Sequence, residues 1–329
     1  QGAELLYGHV GGHPELKQVL AEYLAGARGV KARPEQVLIT SSMQAALATL
    51  AQGLADPGDL AWIENPGYLG ARTAFHGAGL KISGLEVDVE GAQIAQWSPD
   101  APPKLIYLTP SHQFPLGVRM SLARRLAMIE AASEAGALIL EDDYDSEFLF
   151  EGRPTAALQG LAVNDEVIYL GTLSKSLLPG LRLAYCVVPE PLVGPVTALF
   201  RNLGQLANVH SQIALADFIE SGHYRAHLKR IRTLYQQRGK ALVTAIRQHF
   251  GNQVEVEEPT GNVQVVVRFR EPIDDEKIAL AMQARGFALS PYSPCFLGNA
   301  AETGLIMGFA SATEADISGC VGALHDVLS

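Results

Sequence analysis

The stretch GTLSKSLLPGLRLAY, Gly171 to Tyr185, decides how the rest of this chain is read. It continues an apolar run, EVIYLGTL (166–173), and sets Lys175 between Ser174 and Ser176, with Arg182 seven positions on. A lone loop lysine is normally solvated. A nucleotide P-loop, G-x-x-x-x-G-K-[ST], needs glycine where Ser174 stands, so that reading fails. The third option is a lysine that forms a Schiff base with a bound aldehyde, which requires a pocket and anion-binding groups nearby. Thr172 and Ser174 supply hydroxyls, and Arg182 supplies a guanidinium fork suited to phosphate.

Working outward, further short apolar runs precede this one: VLIT (37–40), LAWIE (60–64), KLIYLTP (104–110) and ALILEDD (137–143). Between them lie helical patterns. Residues 14–29 put Leu16, Val19, Leu20, Tyr23 and Leu24 on one face, and Ser121 caps SLARRLAMIEAASEAG. Apolar strands alternating with helices predict an α/β fold whose mostly parallel sheet is covered on both faces. Beyond about Ala207 the pattern changes to long helices, the strand VQVVV (263–267), and a closing helix whose TEAD start resembles a capping box. The expected division is an N-terminal arm and helix (1–35), a large domain (36–222) and a smaller C-terminal α+β domain (223–329).

In open α/β sheets, ligands sit beyond the carboxyl ends of the strands. Chemistry-bearing residues follow several of the runs. Asp142 and Tyr144, two apart on a strand end, face the same way and suit a pyridinium nitrogen and an adjacent ring oxygen. Ser41, Ser42 and the Met43 amide open a helix and form a natural phosphate cradle. Tyr68, in ENPGYLGAR, suits a position over a flat ring. Each has a bland reading: a solvated acidic strand end, a stabilising N-cap, a core tyrosine. No histidine or second carboxylate cluster accompanies Asp142, so no metal is expected. Lysine, ring partners, phosphate cradle and aromatic lid together specify pyridoxal 5′-phosphate (PLP).

Composition sets bounds on this reading. The 329 residues are 48% hydrophobic and 18% charged, with net charge −10. Such acidity argues against nucleic-acid binding by this chain on its own. No apolar run reaches bilayer length, so no membrane partner is expected. Cys186, Cys295 and Cys320 are widely spaced, as reduced cytoplasmic thiols would be. The chain opens at Gln1 rather than Met and reads as a fragment that has lost its N-terminal part.

Over essentially its whole length the sequence resembles fold-type I PLP enzymes of the aminotransferase class I/II family. Within that group it is most similar to the MocR/GabR family of bacterial transcription regulators. The carrying segments are LLYGHVGGHPELKQVLAEYLAGARGV, ENPGYLGAR, LTPSHQFPLGV, EDDYDSEF and GTLSKSLLPGLRL. The resemblance implies that Lys175 forms the internal aldimine, Asp142 pairs with the pyridinium nitrogen, Tyr144 with the ring oxygen, and Tyr68 stacks on the ring. Ser42, Met43, Thr172, Ser174 and Arg182 would surround the phosphate. Tyr7 would reach the phosphate of the neighbouring subunit in a homodimer.

In that family a winged helix-turn-helix domain precedes this one, so DNA would be a partner only through a domain absent here. The implied function is effector sensing, through an external aldimine with a small amino compound such as GABA, taurine, an ectoine-type molecule or a D-alanyl peptide, or through PLP itself. The alternative is a true aminotransferase. Two departures from the enzyme pattern bear on the choice. Phe114 stands where aminotransferases carry the asparagine of N-P-x-G, a change the regulator branch shares, and Ile306 stands where aminotransferases and some regulators place the arginine that holds a substrate carboxylate. Arg72 and His112 are candidate effector contacts. His223 and His227 are expected on a solvated helix face, and His9 and His13 in a turn.

Overall fold

A computed structural model describes residues 9–94 and 101–329, and the apolar runs form its strands. The strands β1 (Val37–Thr40), β2 (Leu60–Asn65), β3 (Lys81–Asp88), β4 (Gly91–Ala92), β5 (Pro103–Leu108), β6 (Leu138–Asp143), β7 (Val167–Thr172) and β8 (Ala184–Val187) make one sheet. Its order is β1-β8-β7-β6-β5-β2-β3-β4. β7, β6, β5, β2 and β3 run parallel, as expected. β8 runs antiparallel to both β7 and β1. This strand begins at the last two residues of the decisive stretch and, like β3, gave no separate sequence signal. Gly171 is obligatory at its crossing, since a Cβ there would lie 2.3 Å from the Tyr185 ring.

Both faces of the sheet are buried. Tyr107, Leu140, Ile168 and Leu170 pack with Leu47 and Leu50 of α2 (Met43–Leu54) and Phe75 of α3 (Leu69–Gly77). Ile106, Leu108, Ile139 and Val167 pack on Met128 and Ile129 of α4 (Leu122–Ala135). The Ser121 hydroxyl caps α4 by accepting the Arg124 amide at 3.2 Å. Helix α1 (Pro14–Arg28) stops at Gly29, whose φ of 68° is left-handed. Its Leu16 and Leu20 are fully buried, worth about 1.5–3 kcal/mol each.

The chain continues through α5 (Leu158–Leu161), α6 (Glu190–Asn202) and α7 (Val209–Glu220) to α8 (His223–Phe250). α8 joins two cores. Tyr224, Leu228 and Ile231 pack with α1, whereas Leu242, Val243, Ile246 and Phe250 pack with the C-terminal sheet. That second sheet is antiparallel: β9 (Val254–Glu255), β10 (Gln264–Phe269), β11 (Ser290–Pro291) and β12 (Gly304–Gly308), in order β11-β12-β10-β9. It is backed by α9 (Asp275–Ala284) and α10 (Glu314–Leu328), the latter opened by a Thr313–Asp316 capping box.

Candidate cofactor site

The site lies where the sheet topology gathers the carboxyl ends of the strands. Asp142, at the end of β6, is buried, and its Oδ2 accepts the Tyr107 hydroxyl at 2.6 Å. Its Oδ1 is buried with no partner, as is the Tyr144 hydroxyl two residues on. A buried polar atom without a partner costs about 1–3 kcal/mol, so this pair is an unpaid debt of the protein-only fold. A planar ring with a cationic nitrogen and a neighbouring oxygen satisfies both atoms. Burial pushes the Asp142 carboxyl up to about 7, against the downward pull of the Tyr107 hydrogen bond and of the nearby Lys175 ammonium. A cation at Oδ1 restores the carboxylate.

Lys175 sits in the exposed turn after β7 and lies within Coulombic reach of both Asp142 and Asp145. Two contacts from α8 hold that turn. The Ser176 hydroxyl is 2.9 Å from the Tyr224 hydroxyl, and His227 Nε2 is 2.7 Å from the Ser176 carbonyl. His227 is therefore half-buried and structural rather than part of a solvated face; nothing in its i, i+4 spacing from His223 signalled this. On the same sheet edge, Thr40 and Thr172 both pair with Ala184 of β8. The register thus brings the start of α2 beside the Thr172–Ser174 turn. Ser42 caps α2 by accepting the Ala45 amide at 3.1 Å, Met43 begins the helix, and Thr172 Oγ1 is 3.1 Å from Ser174 Oγ. Arg182, directly before β8, is exposed in a left-handed conformation with no side-chain partner among the described residues. Helix N-terminus, hydroxyls and free guanidinium are the kinds of donor that a dianionic phosphate requires.

Tyr68, at the N-cap of α3, stacks over Tyr107 with centroids 6.3 Å apart. Phe114 presents its edge to Tyr68 (5.4 Å) and to Tyr144 (6.3 Å). Tyr7 lies outside the described residues.

Three further acids of EDDYDSEF have separate partner sets. Glu141 accepts the Leu158 and Gln159 amides at 2.9 and 3.0 Å and lies 3.7 Å from Arg125. Asp143 takes Arg28 Nε at 2.7 Å and the Tyr169 hydroxyl at 2.6 Å; burial alone would raise its pKa, but Arg28 holds it below the usual carboxylate range. Asp145 pairs with His112 Nδ1 at 2.7 Å. Sequence reading missed these partners because each comes from a distant segment. It also missed Glu64, which is buried, accepts the Thr109 amide at 3.1 Å together with its hydroxyl, and is pushed by burial to about 7.

The family model for aminotransferase class I and II matches residues 1–323. The chain belongs to that family. The fold of that family is PLP-dependent, and PLP is the implied cofactor.

Among curated relatives, the chain is 41% identical over 309 residues to the probable rhizopine catabolism regulatory protein MocR of Rhizobium meliloti, covering 93% of this chain and 62% of that protein. It is 35% identical to the HTH-type transcriptional regulator TauR of Rhodobacter capsulatus, covering 84% and 57%. The chain therefore spans roughly three fifths of the length of these regulators. Among solved structures, an archaeal alanine:glyoxylate aminotransferase matches with TM-score 0.90 at 26% identity, covering 99% of this chain and 83% of that one. A Pyrococcus horikoshii kynurenine aminotransferase in complex with PMP matches with TM-score 0.89 at 26% identity, covering 99% and 82%. The expected resemblance to MocR/GabR-type regulators and the fold-type I architecture are both borne out.

The remaining sequence candidates, Arg72, His112 and Ile306, each have defined neighbours. Arg72 donates through Nη1 to the Phe296 carbonyl at 3.0 Å, fastening the C-terminal domain to α3. His112 is buried, and the close approach of Gly261 leaves no room for a Cβ, which would lie 2.2 Å from Nε2. Ile306 turns away from Leu305 and Met307 and packs with Tyr292, Cys295 and Phe296 against Phe114 and Leu116.

Proposed function

We propose that this chain is the PLP-binding, effector-sensing and dimerising part of a MocR/GabR-type transcription regulator. The observation that carries the reading is the pair of buried, unpartnered atoms, Asp142 Oδ1 and the Tyr144 hydroxyl, at the strand end facing Lys175. PLP, when bound, supplies an aldehyde that captures amines and a ring that withdraws electrons. Lys175 would hold the cofactor through its aldehyde, at the place where a small amino compound would meet it. Asp142 holds the proton on the ring nitrogen, Tyr144 bonds the ring oxygen, and Tyr68 covers the ring face. Ser42, Met43, Thr172, Ser174 and Arg182 bind the phosphate, with Tyr7 reaching the phosphate of a partner subunit in a homodimer. DNA recognition belongs to a helix-turn-helix domain elsewhere in the full polypeptide, in the cytoplasm.

Ile306 favours the sensor over the aminotransferase alternative. Its apolar cluster offers no cation for an α-carboxylate, and no arginine occurs from Gly286 to Ser329. Losing one partner of a buried charged pair costs roughly 2–5 kcal/mol, on the order of 30-fold to several thousand-fold in affinity. With PLP bound, the site would still be open to an amine beside Lys175, and a change in its occupancy would be the signal. The test is a single-turnover assay with alanine, glutamate, GABA and taurine, following the visible spectrum. An amine that shifts the spectrum without conversion to the pyridoxamine form supports a sensor. Rapid conversion by a common α-amino acid restores the aminotransferase.

A further inference from the structure

Helix α8 has 28 residues, seven of them Lys or Arg and none Asp or Glu, in a chain of net charge −10. At about 100° per residue, Arg225, Lys229, Arg232, Lys240 and Arg247 fall within roughly 80° of arc. All five are exposed. The helix buries a different stripe, with Tyr224, Leu228, Ile231, Leu242 and Ile246 packed inward. Among the described residues, Arg247 alone of the seven has a carboxylate partner, Glu258 at 3.6 Å. Arg232 donates to the Glu147 carbonyl at 2.9 Å and keeps its charge uncompensated. The side chains of Arg225, Lys229 and Lys240 make no hydrogen bond or ion pair among the described residues. Like charges spaced i, i+4, as Arg225 and Lys229 are, disfavour a helix by about 0.2–0.5 kcal/mol. Arg225, Lys229 and Lys240 thus make no polar contact that serves the fold, and the stripe presents an outward cationic row.

We infer that this face of α8 binds the phosphate backbone of duplex DNA, alongside the element that reads the sequence. The inference rests on the regulator reading above, which makes DNA the polyanion at hand. Net charge is an average, whereas a field is local; a cationic row on an acidic body attracts the duplex at one face and repels it elsewhere, fixing its orientation. From Arg225 to Lys240 the helix rises roughly 22 Å, about six base steps at 3.4 Å each. Flexible lysines and arginines at that spacing make contacts that position a duplex without reading its bases. The row begins beside Tyr224 and His227, which contact Ser176, so the proposed DNA-facing helix also holds the turn that carries Lys175.

The test compares the full-length gene product carrying this chain with its Arg225→Ala/Lys229→Ala double variant. Binding of a random-sequence duplex of about 40 base pairs is followed by anisotropy against salt. Two lost phosphate contacts should make the slope of log affinity against log salt less steep by about 1.8, so that between 50 and 200 mM salt the wild type loses about ten-fold more affinity than the variant. An unchanged slope and affinity would overturn the proposal. So would displacement of the duplex by polyglutamate at equal charge concentration, which assigns the face to an acidic protein. Cofactor absorbance is recorded in both proteins. If neither binds PLP but the slopes still differ, the sensor reading fails while the DNA face stands; the reverse pattern sinks only the DNA face.

Discussion

The two walls of the site are built on opposite plans. The strand-end floor leaves polar atoms unmet: Asp142 Oδ1 and the Tyr144 hydroxyl are buried without partners, and Glu64 and Asp142 are both pushed to about 7. The C-terminal wall is mostly satisfied, with Gln264 Nε2 on β10 its one buried side-chain atom without a partner among the described residues. Asp275, at the start of α9, accepts the Tyr292, Ser293 and Gly304 amides at 3.2, 2.8 and 3.0 Å, and the surface it steadies toward the site is apolar, with Ile306, Phe296 and Tyr292. The difference separates two tasks. A floor with open polar valence demands a cofactor, while a closed apolar wall restricts what is presented to it.

The sharpest way to break this contrast is to remove the floor's acid. Asp142→Asn should weaken PLP retention by on the order of 30-fold or more, the cost of losing one partner of a buried charged pair; equilibrium dialysis measures it. The same variant should stabilise the cofactor-free chain at pH 8. A carboxyl whose pKa is raised to about 7 binds more protons folded than unfolded, so its contribution falls as pH climbs from the ordinary carboxylate range through about 7. Melting of the cofactor-free wild type should therefore drop across that window, and Asp142→Asn should flatten the drop. A pH-independent difference between the two would contradict the buried, partnerless carboxyl.

The wall is tested next. Asp275→Ala leaves the Tyr292, Ser293 and Gly304 amides without their acceptor and should destabilise the chain by about 1–3 kcal/mol, seen in denaturant unfolding, with a smaller loss of PLP affinity than Asp142→Asn produces. An equal loss of cofactor from both variants would erase the division between floor and wall. The smallest effect is expected from Tyr107→Phe. It removes one hydrogen bond to Asp142, worth about 0.5–1.5 kcal/mol. Because that bond lowers the Asp142 pKa, the midpoint of the pH-dependent melting should move upward.

Much of this was legible in the sequence, for identifiable reasons. Strands β1, β2, β5, β6 and β7 announced themselves as apolar runs because they are buried on both faces. Asp142 and Tyr144 could be placed together from the two-residue period of a strand. β8, which starts at the end of the lysine stretch, gave no signal, because an antiparallel return of four residues has neither length nor alternation. The pairings of Asp143 with Arg28, Asp145 with His112 and Glu64 with Thr109 join segments 33 to 115 residues apart. No local spacing encodes them. His227 was misread for the same reason: its partner is a backbone carbonyl 51 residues earlier, in the lysine turn.

The central claim is that the unmet polar atoms of the floor and the turn after β7 together hold PLP on Lys175. The most direct measurement is borohydride reduction of the PLP-loaded protein, followed by peptide mass spectrometry. The account predicts one reduced phosphopyridoxyl group, on the peptide carrying Lys175, and none in Lys175→Ala. A group found on another lysine, or an unmodified Lys175 in protein that has retained PLP, would contradict it.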